Sequence, residues 1–349
     1  MKLSHLQENL KNESLDLAIL MDPDPSLVYL SQNIFSHAIM AITSQKAITF
    51  VSKLDKIPKV KGMVFEELNK DWVDNLFKKK SKIKRIGINK EFLSVKNLES
   101  LEEKFPGAEF LDLSSKLSQL REQKTDLEIK KIEKACQITV KAFNFLVKEL
   151  SKGDLKTEQD VALFLEKKIR QGGAKLAFPT IVACGENAAI PHHCTSNTKL
   201  KEGFLLMDFG AKFQNYCADM TRVVFLGTAK KEDKEIYNLL LSAQKEAINS
   251  IQESVSFQDL DKVVRKKLSV YSEYFIHSLG HGIGIEVHEN PVFSNKKSKV
   301  QKNVPFTIEP GIYLPGKLGL RIEDTIIFDE KVKILTNATK ELVEIDWKQ

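Results

Sequence analysis

Histidine and arginine are scarce in this 349-residue chain, with seven of the first and six of the second. Scarcity makes their positions informative. Cysteine is scarcer still: Cys136, Cys184, Cys194 and Cys217 form no CxxC pair, which excludes a disulfide framework and a zinc knuckle and points to a reducing compartment. No run of roughly eighteen apolar residues occurs, and the opening "MKLSHLQENLKNES" has no continuous apolar core, so neither a membrane span nor a secretory leader is expected. A soluble, cytoplasmic protein with no membrane partner follows. The charge balance also lacks a dominant sign locally. Although 53 basic residues face 47 acidic ones for a net +6, lysines alternate with glutamates and aspartates rather than massing in blocks. This is a solvated surface rather than a nucleic-acid face.

The length suits two domains, each able to bury its own core. Residues 1–118 alternate short apolar runs with amphipathic stretches. "LDLAILM", "LVYLS", "AIMAITSQKAITFV", "RIGIN" and "AEFLDL" read as strands, and "FEELNKDWVDNLFKK" and "SVKNLESLEEKF" as helices, which makes an α/β unit. The pattern then changes. "TDLE" at Thr125–Glu128 is a capping box, and Ile132, Cys136, Val140, Phe143, Val147 and Leu150 continue at helical spacing up to Gly153. From residue 119 onward one arrangement occurs twice. Helices near 126–151 and 158–171 precede strands near 204–210 and 216–226; helices near 232–253 and 257–270 precede strands near 304–313 and 319–328.

Each half carries a pair of carboxylates on a predicted strand pair. Asp208 and Asp219 flank the polar turn "KFQN", and a turn centred there makes them cross-strand neighbours on one face. Glu309 and Glu323 flank "PGKLG" in the same way, centred on Gly316. Facing like charges among Leu206, Met207, Phe209, Phe306, Ile308, Ile322 and Ile326 are costly unless a proton is shared or a cation intervenes. An acid/base dyad and a metal site both fit. Four carboxylates balance two divalent cations, and a nearby histidine favours the metal.

"HSLGHGIGIEVHENP", residues 277–291, supplies that histidine. His277 and His281 have i, i+4 spacing, but Gly280, Gly282 and Gly284 oppose a helix and the glutamate of HExxH is missing. Nor does "GHGIG" match the GxGxxG of a dinucleotide loop. The glycines instead let backbone pass close to a neighbour.

In order, "PHH" (191–193), "MDFGAKFQNYCADMTR" (207–222), "HSLGHGIGIEVHE" (277–289), "TIEPGIY" (307–313) and "RIEDT" (321–325) resemble the motif set of the pita-bread metallopeptidases, the family of prolidase, aminopeptidase P, methionine aminopeptidase and creatinase. The isolated "DFG" at 208–210 also matches a kinase motif, but no accompanying kinase signature exists. The resemblance covers residues 120–349, and the first 118 residues resemble the creatinase-type N-terminal domain. It implies an α/β protein whose second domain has two related halves, binding two divalent ions (Mn, Co, Fe or Zn) through Asp208, Asp219, His281, Glu309 and Glu323, with Asp219 and Glu323 bridging. It also implies water activated by the metals, Glu309 as proton acceptor, His288 polarising the scissile carbonyl, and His192 contacting substrate. His277 and Arg321 are second-tier substrate contacts, and His193 is the weaker of its pair. A homodimer acting on short proline-containing peptides is the corresponding expectation.

Two departures bear on substrate. Many prolidase-like members place arginine where this chain has Val292, so a group for a short substrate's carboxylate is missing or replaced by Lys296 or Lys297. Pro305 removes a ladder donor and suggests an edge strand. Cys217, two residues before Asp219, is expected on the same strand face. The reading favoured here is a prolidase, with an Xaa-Pro aminopeptidase on longer peptides as the alternative. Methionine aminopeptidase fits less well because that activity usually lacks a first domain, and creatinase chemistry needs no metal. A non-catalytic binding module of the same fold is the remaining class.

Overall fold

The computed structural model describes residues 2–58, 60, 62–76 and 83–347. Contacts divide the chain into two compact units, Met1–Arg121 and Glu122–Gln349. The first contains α1 (Lys2–Asn12), β1 (Leu17–Met21), α2 (Pro25–Ser31), β2 (Ala38–Ile42), β3 (Ala47–Val51), β4 (Val64–Glu67), α3 (Trp72–Leu76), β5 (Arg85–Ile88), α4 (Val95–Lys104), β6 (Glu109–Asp112) and α5 (Ser114–Glu122). Its mixed sheet runs β4-β3-β2-β1-β5-β6. Leu17, Ile19, Phe50, Trp72, Ile86 and Leu101 form its core.

Two expectations fail here. "LVYLS" belongs to helix α2, because Asp24 caps it by accepting from Ser26 N at 2.7 Å and Pro25 stands at its first position, local signals that outweigh the apolar run. The start of "FEELNKDWVDNLFKK" is strand β4, paired in parallel with β3. Only Trp72–Leu76 of that stretch is helical among the described residues, and Phe77–Lys79 lie outside them. The spacing of Phe65, Trp72, Val73 and Leu76 suited a helix, but pairing with β3 claimed its first part.

In the second unit, α6 (Asp126–Leu150) begins at the capping box read from sequence, with Thr125 N donating to Glu128 Oε2 at 2.9 Å. Then come α7 (Glu158–Gln171), β7 (Lys175–Leu176), β8 (Ile181–Cys184), β9 (Gly203–Phe209), β10 (Ala211–Phe213), β11 (Tyr216–Cys217), β12 (Met220–Leu226), α8 (Lys231–Asn249) and α9 (Phe257–Leu268). The strands β13 (His281–Gly282), β14 (Glu289–Val292), β15 (Pro305–Ile308), β16 (Gly311–Leu314), β17 (Leu318–Arg321), β18 (Asp324–Asp329), β19 (Lys331–Ile334) and β20 (Val343–Ile345) complete it.

The repeated order of elements is real architecture. One half centres on the antiparallel pair β9–β12 within β20-β12-β9-β8, and the other on β15–β18 within β14-β13-β15-β18-β19. Even the isolated bridges repeat: Thr157 before α7 pairs with Lys199, and Ser256 before α9 pairs with Lys299. Pro305 does not mark an edge, since β15 lies between β13 and β18; as the first residue of its strand it can lack a donor without breaking the sheet. Phe204, Tyr237, Leu240, Phe257, Phe306, Ile308 and Ile326 fill the core between these sheets and helices α8 and α9.

Behind the carboxylate-bearing strands lies a buried polar hub. Arg222 on β12 donates to Asp324 Oδ1 at 2.6 Å and to the carbonyls of Glu323 at 2.5 Å and Thr336 at 2.8 Å. Lys340 Nζ reaches the other Asp324 oxygen at 2.7 Å. From α8, Gln244 Nε2 donates to the Ile308 and Ile322 carbonyls at 3.2 and 3.1 Å, so one amide ties the two strand ends that precede Glu309 and Glu323. Removing one partner of a buried ion pair leaves the other charge uncompensated. Arg222→Met should therefore lower unfolding free energy by about 3–5 kcal/mol in urea titrations, and a loss below about 1 kcal/mol would show that the hub is not a stability determinant.

Candidate metal centre

The five predicted ligands stand at the ends of strands rather than within long ladders. Asp208 is the penultimate residue of β9, Asp219 precedes β12, His281 opens β13, Glu309 follows β15 and Glu323 precedes β18. Ile308 pairs with Asp324 on one side and Gly311 with Arg321 on the other, so Glu309 and Glu323 fall opposite one another between two ladders in common register. The first pair is offset. Its hairpin turns on Gln214 and Asn215, both left-handed at φ 46° and 72°, one residue beyond the centre expected. Asp208 therefore faces Thr221, with Asp219 on the diagonal. Because the offset amounts to two residues, both aspartates keep the same face.

Ligand atoms of Asp219, His281 and Glu323 lie within 4.8 Å of one another. His281 Nε2 is 3.6 Å from Asp219 Oδ2 and 3.4 Å from Glu309 Oε1. Its Nδ1 lies 3.1 Å from the Gly282 carbonyl, which can only accept, so the lone pair of Nε2 points at the carboxylates. Gly280 makes this strand position possible: a Cβ there would sit 2.0 Å from the Thr307 carbonyl oxygen. Asp208 Oδ2 accepts from Arg321 Nη2 at 2.6 Å.

Hydroxyls support the acids from outside. Thr221 Oγ1 donates to Glu323 Oε2 at 2.7 Å, Thr307 Oγ1 to Glu309 Oε1 at 3.2 Å, and Thr325 Oγ1 to the Asp219 carbonyl at 2.8 Å. These threonines went unnoticed in the sequence, although Thr221 and Thr307 each stand two residues from a ligand, on the same strand face.

Burial first, then repulsion from Glu323, Asp208 and Glu309, holds Asp219 well above the usual carboxylate range. Burial, then Glu309 and Asp208, does the same to Glu323. Burial pushes Glu309 up to about 8 despite Arg321, and drives His281 down to about 3. Asp208 Oδ1 and Asp219 Oδ1 are buried without a hydrogen-bond partner. Four acids, two unsatisfied inward oxygens and one neutral imidazole make an oxygen-rich donor set with a single nitrogen, which fits divalent ions of the Mn, Fe, Co and Zn type.

The remaining predicted residues divide. His277 Nδ1 faces the Ser278 carbonyl at 2.8 Å, so its Nε2 takes the Tyr313 hydroxyl proton at 2.8 Å, while that hydroxyl accepts from Arg321 Nη1 at 2.9 Å. Arg321 also donates from Nε to Thr221 Oγ1 at 3.0 Å. Arg321 thus donates along two branches, through the Tyr313 hydroxyl to His277 and directly to Asp208. The His288 ring lies 4.3 Å from that of His281, nearly perpendicular, and burial lowers its pKa. His192 is exposed and close enough to influence both His277 and His288. His193 is turned away: its Nε2 meets the buried Glu158 at 2.9 Å, and Glu158 also accepts from Cys184 N at 2.9 Å and Ser196 Oγ at 3.1 Å. Cys217 does not face the acids; its Sγ contacts the Ile285 carbonyl at 3.4 Å, and burial pushes its thiol up to about 12. Val292 is half-exposed and pairs with His281, while Lys296 and Lys297 are exposed.

Residues 130–330 match metallopeptidase family M24, and residues 2–123 match the creatinase/prolidase N-terminal domain. The chain belongs to metallopeptidase family M24. It is 35% identical over 350 residues to an Xaa-Pro dipeptidase of Pyrococcus horikoshii, covering 98% of each chain. The solved prolidase of that organism is similar at a TM-score of 0.87 with 33% identity, covering 98% of this chain and 99% of the other. An X-Pro aminopeptidase structure from Thermotoga maritima is similar at a TM-score of 0.86 with 34% identity, covering 95% and 98%.

For this M24 member the raised carboxyls have a measurable consequence. An acid held at about 8, as Glu309 is, carries its proton at pH 7 and must lose it to ligate a cation. Titrating the ion-free protein with Mn²⁺ at pH 7 should release protons, read as a dependence of calorimetric heat on buffer ionisation enthalpy, and affinity should rise as pH climbs through 8. Heats independent of buffer would show that the acids are already ionised.

Proposed function

We propose that the chain is a dinuclear metal-dependent peptidase that hydrolyses Xaa-Pro bonds, acting as a prolidase on dipeptides. The observation that carries this reading is the convergence of Asp219, Glu309 and Glu323 on one neutral histidine, with Asp208 held by the Arg321 guanidinium. Asp208, Asp219, His281, Glu309 and Glu323 would hold two ions drawn from Mn, Co, Fe or Zn. When bound, such ions supply Lewis acidity and ready ionisation of water at neutral pH. Glu309, raised by burial, is suited to take up a proton and release it. His288 would donate toward the substrate carbonyl oxygen as negative charge develops there, and His192, exposed at the rim, would contact the substrate. His277 and Arg321, joined through the Tyr313 hydroxyl, would contact substrate, with Arg321 also keeping Asp208 oriented. The homodimer and the cytoplasmic setting rest on the family resemblance alone.

One observation favours a second reading, an Xaa-Pro aminopeptidase acting on longer peptides. Val292 presents an apolar, half-exposed side chain at the register position opposite His281, where a cation would suit the free carboxylate of a dipeptide. Turnover of Xaa-Pro, Xaa-Pro-Xaa and Met-Xaa peptides with Mn²⁺ or Co²⁺ supplied decides between them, and preference for the tripeptide overturns the dipeptidase. A purified protein that holds no divalent ion and gains no activity from Mn²⁺ or Co²⁺ would point to the non-catalytic binding module instead.

Two substitutions test the residue roles. Asp219→Asn should abolish metal binding and turnover together, and an active variant with full metal content refutes the ligand role. His288→Ala should lower kcat by about 100- to 1,000-fold while metal content stays unchanged; equal losses of both would make His288 structural.

A further inference from the structure

The loop 283–288 between β13 and β14 carries His288, and groups from outside hold it and the Glu289 that follows. Ile283 N donates to the Pro305 carbonyl at 3.2 Å, and the Gly284 carbonyl accepts from Cys217 N at 2.7 Å. The Ile285 carbonyl accepts from Lys212 Nζ at 2.8 Å. At its far end, next to His288, Glu289 Oε1 accepts from Lys124 Nζ at 2.6 Å, and these two side chains are only 3% and 1% exposed. Lys124 is itself fixed. Its Nζ donates to the Glu122 carbonyl at 2.9 Å and its backbone N to the Asn303 carbonyl at 2.8 Å.

Gly284 shows how closely the loop is built around this pair. A Cβ there would lie 2.1 Å from Glu289 Oε1 and 2.9 Å from Lys124 Cε, so the ion pair occupies the space a side chain at 284 would need. Buried ion pairs add little net stability over apolar groups of the same shape, but a short charge-assisted contact fixes direction. We propose that Lys124 and Glu289 are positioning residues for the peptidase reaction: their buried ion pair pins the end of the loop and thereby sets the His288 ring against His281 at the mouth of the metal centre. This rests on the role proposed for His288.

A double-mutant cycle on the full-length, Mn²⁺-loaded protein tests it. Lys124→Met combined with Glu289→Met removes both buried charges together. That variant should keep its metal content but lose about 10- to 100-fold in kcat on an Xaa-Pro dipeptide, the scale of loss that small misplacement produces. In a His288→Ala background the same pair should change kcat by less than about 2-fold, because its effect passes through the imidazole. An equal loss in both backgrounds, or wild-type kcat in the Met pair, overturns the proposal. If His288→Ala alone leaves kcat unchanged, the role of His288 falls and the proposal falls with it, whereas a His288 effect with an additive Lys124–Glu289 effect sinks the positioning role alone. Should the Met pair fail to fold, Lys124→Arg, which keeps the charge but alters its geometry, runs the same cycle: loss only where His288 is present supports the positioning role, and loss in both backgrounds overturns it.

Discussion

Asp219, Glu309 and Glu323 are packed with one imidazole away from water, and the single guanidinium of Arg321 does not offset the cost of charging them. The rest of the catalytic unit can be understood as the apparatus that keeps this cluster assembled. Burial raises Asp219, Glu309 and Glu323 together and lowers His281, so the charged forms of three acids are disfavoured beside a neutral ring. Divalent ions would offset that cost. The buried oxygens of Asp208 and Asp219 that lack partners are where such ions have the most to offer.

Holding repelling groups together takes rigid supports, and the two-halved fold provides them in duplicate. Each half offers an antiparallel strand pair that ends at its acids, and threonines on the same faces orient the oxygens. Behind them, Arg222, Asp324, Lys340 and Gln244 stitch the strand ends with charge-assisted and amide hydrogen bonds in the dry interior. In this second network the one carboxylate, Asp324, meets two cations, whereas the cluster it supports sets four acids against one guanidinium. The contrast separates a structural buried charge from a functional one.

The segments that carry His288 and His192 are built differently. His288 sits on a loop tied by the Lys124 and Lys212 side chains and by the backbone of Cys217 and Pro305, and His192 sits on a loop whose neighbour His193 is anchored to Glu158. Membership of metallopeptidase family M24 and the likeness to Xaa-Pro dipeptidases over nearly the full length agree with a site of this design. Val292, paired with His281 in register, sets an apolar, half-exposed side chain beside the cluster.

Much of this was legible from residues alone, for physical reasons that can be named. Helix α6 announced itself through its capping box, and Glu309 and Glu323 could be paired because the turn between them is marked by Pro315 and Gly316. The period of two that places a strand's residues on one face tolerated a displaced hairpin centre, so Asp208 and Asp219 were grouped correctly with the wrong register. Local signals failed where pairing partners decided the outcome. Phe65–Glu67 became a strand because β3 was beside it, and Pro305 opened an inner strand because its missing donor falls at the strand's start. What the sequence determined by itself was the inventory of ligand-type side chains and the faces they share, since both follow from local periodicity. Only the tertiary structure decided that Arg321 turns to Asp208, that His193 serves Glu158, and that Lys124 meets Glu289. Those contacts join segments up to 165 residues apart, where loop closure rather than local propensity selects the partner.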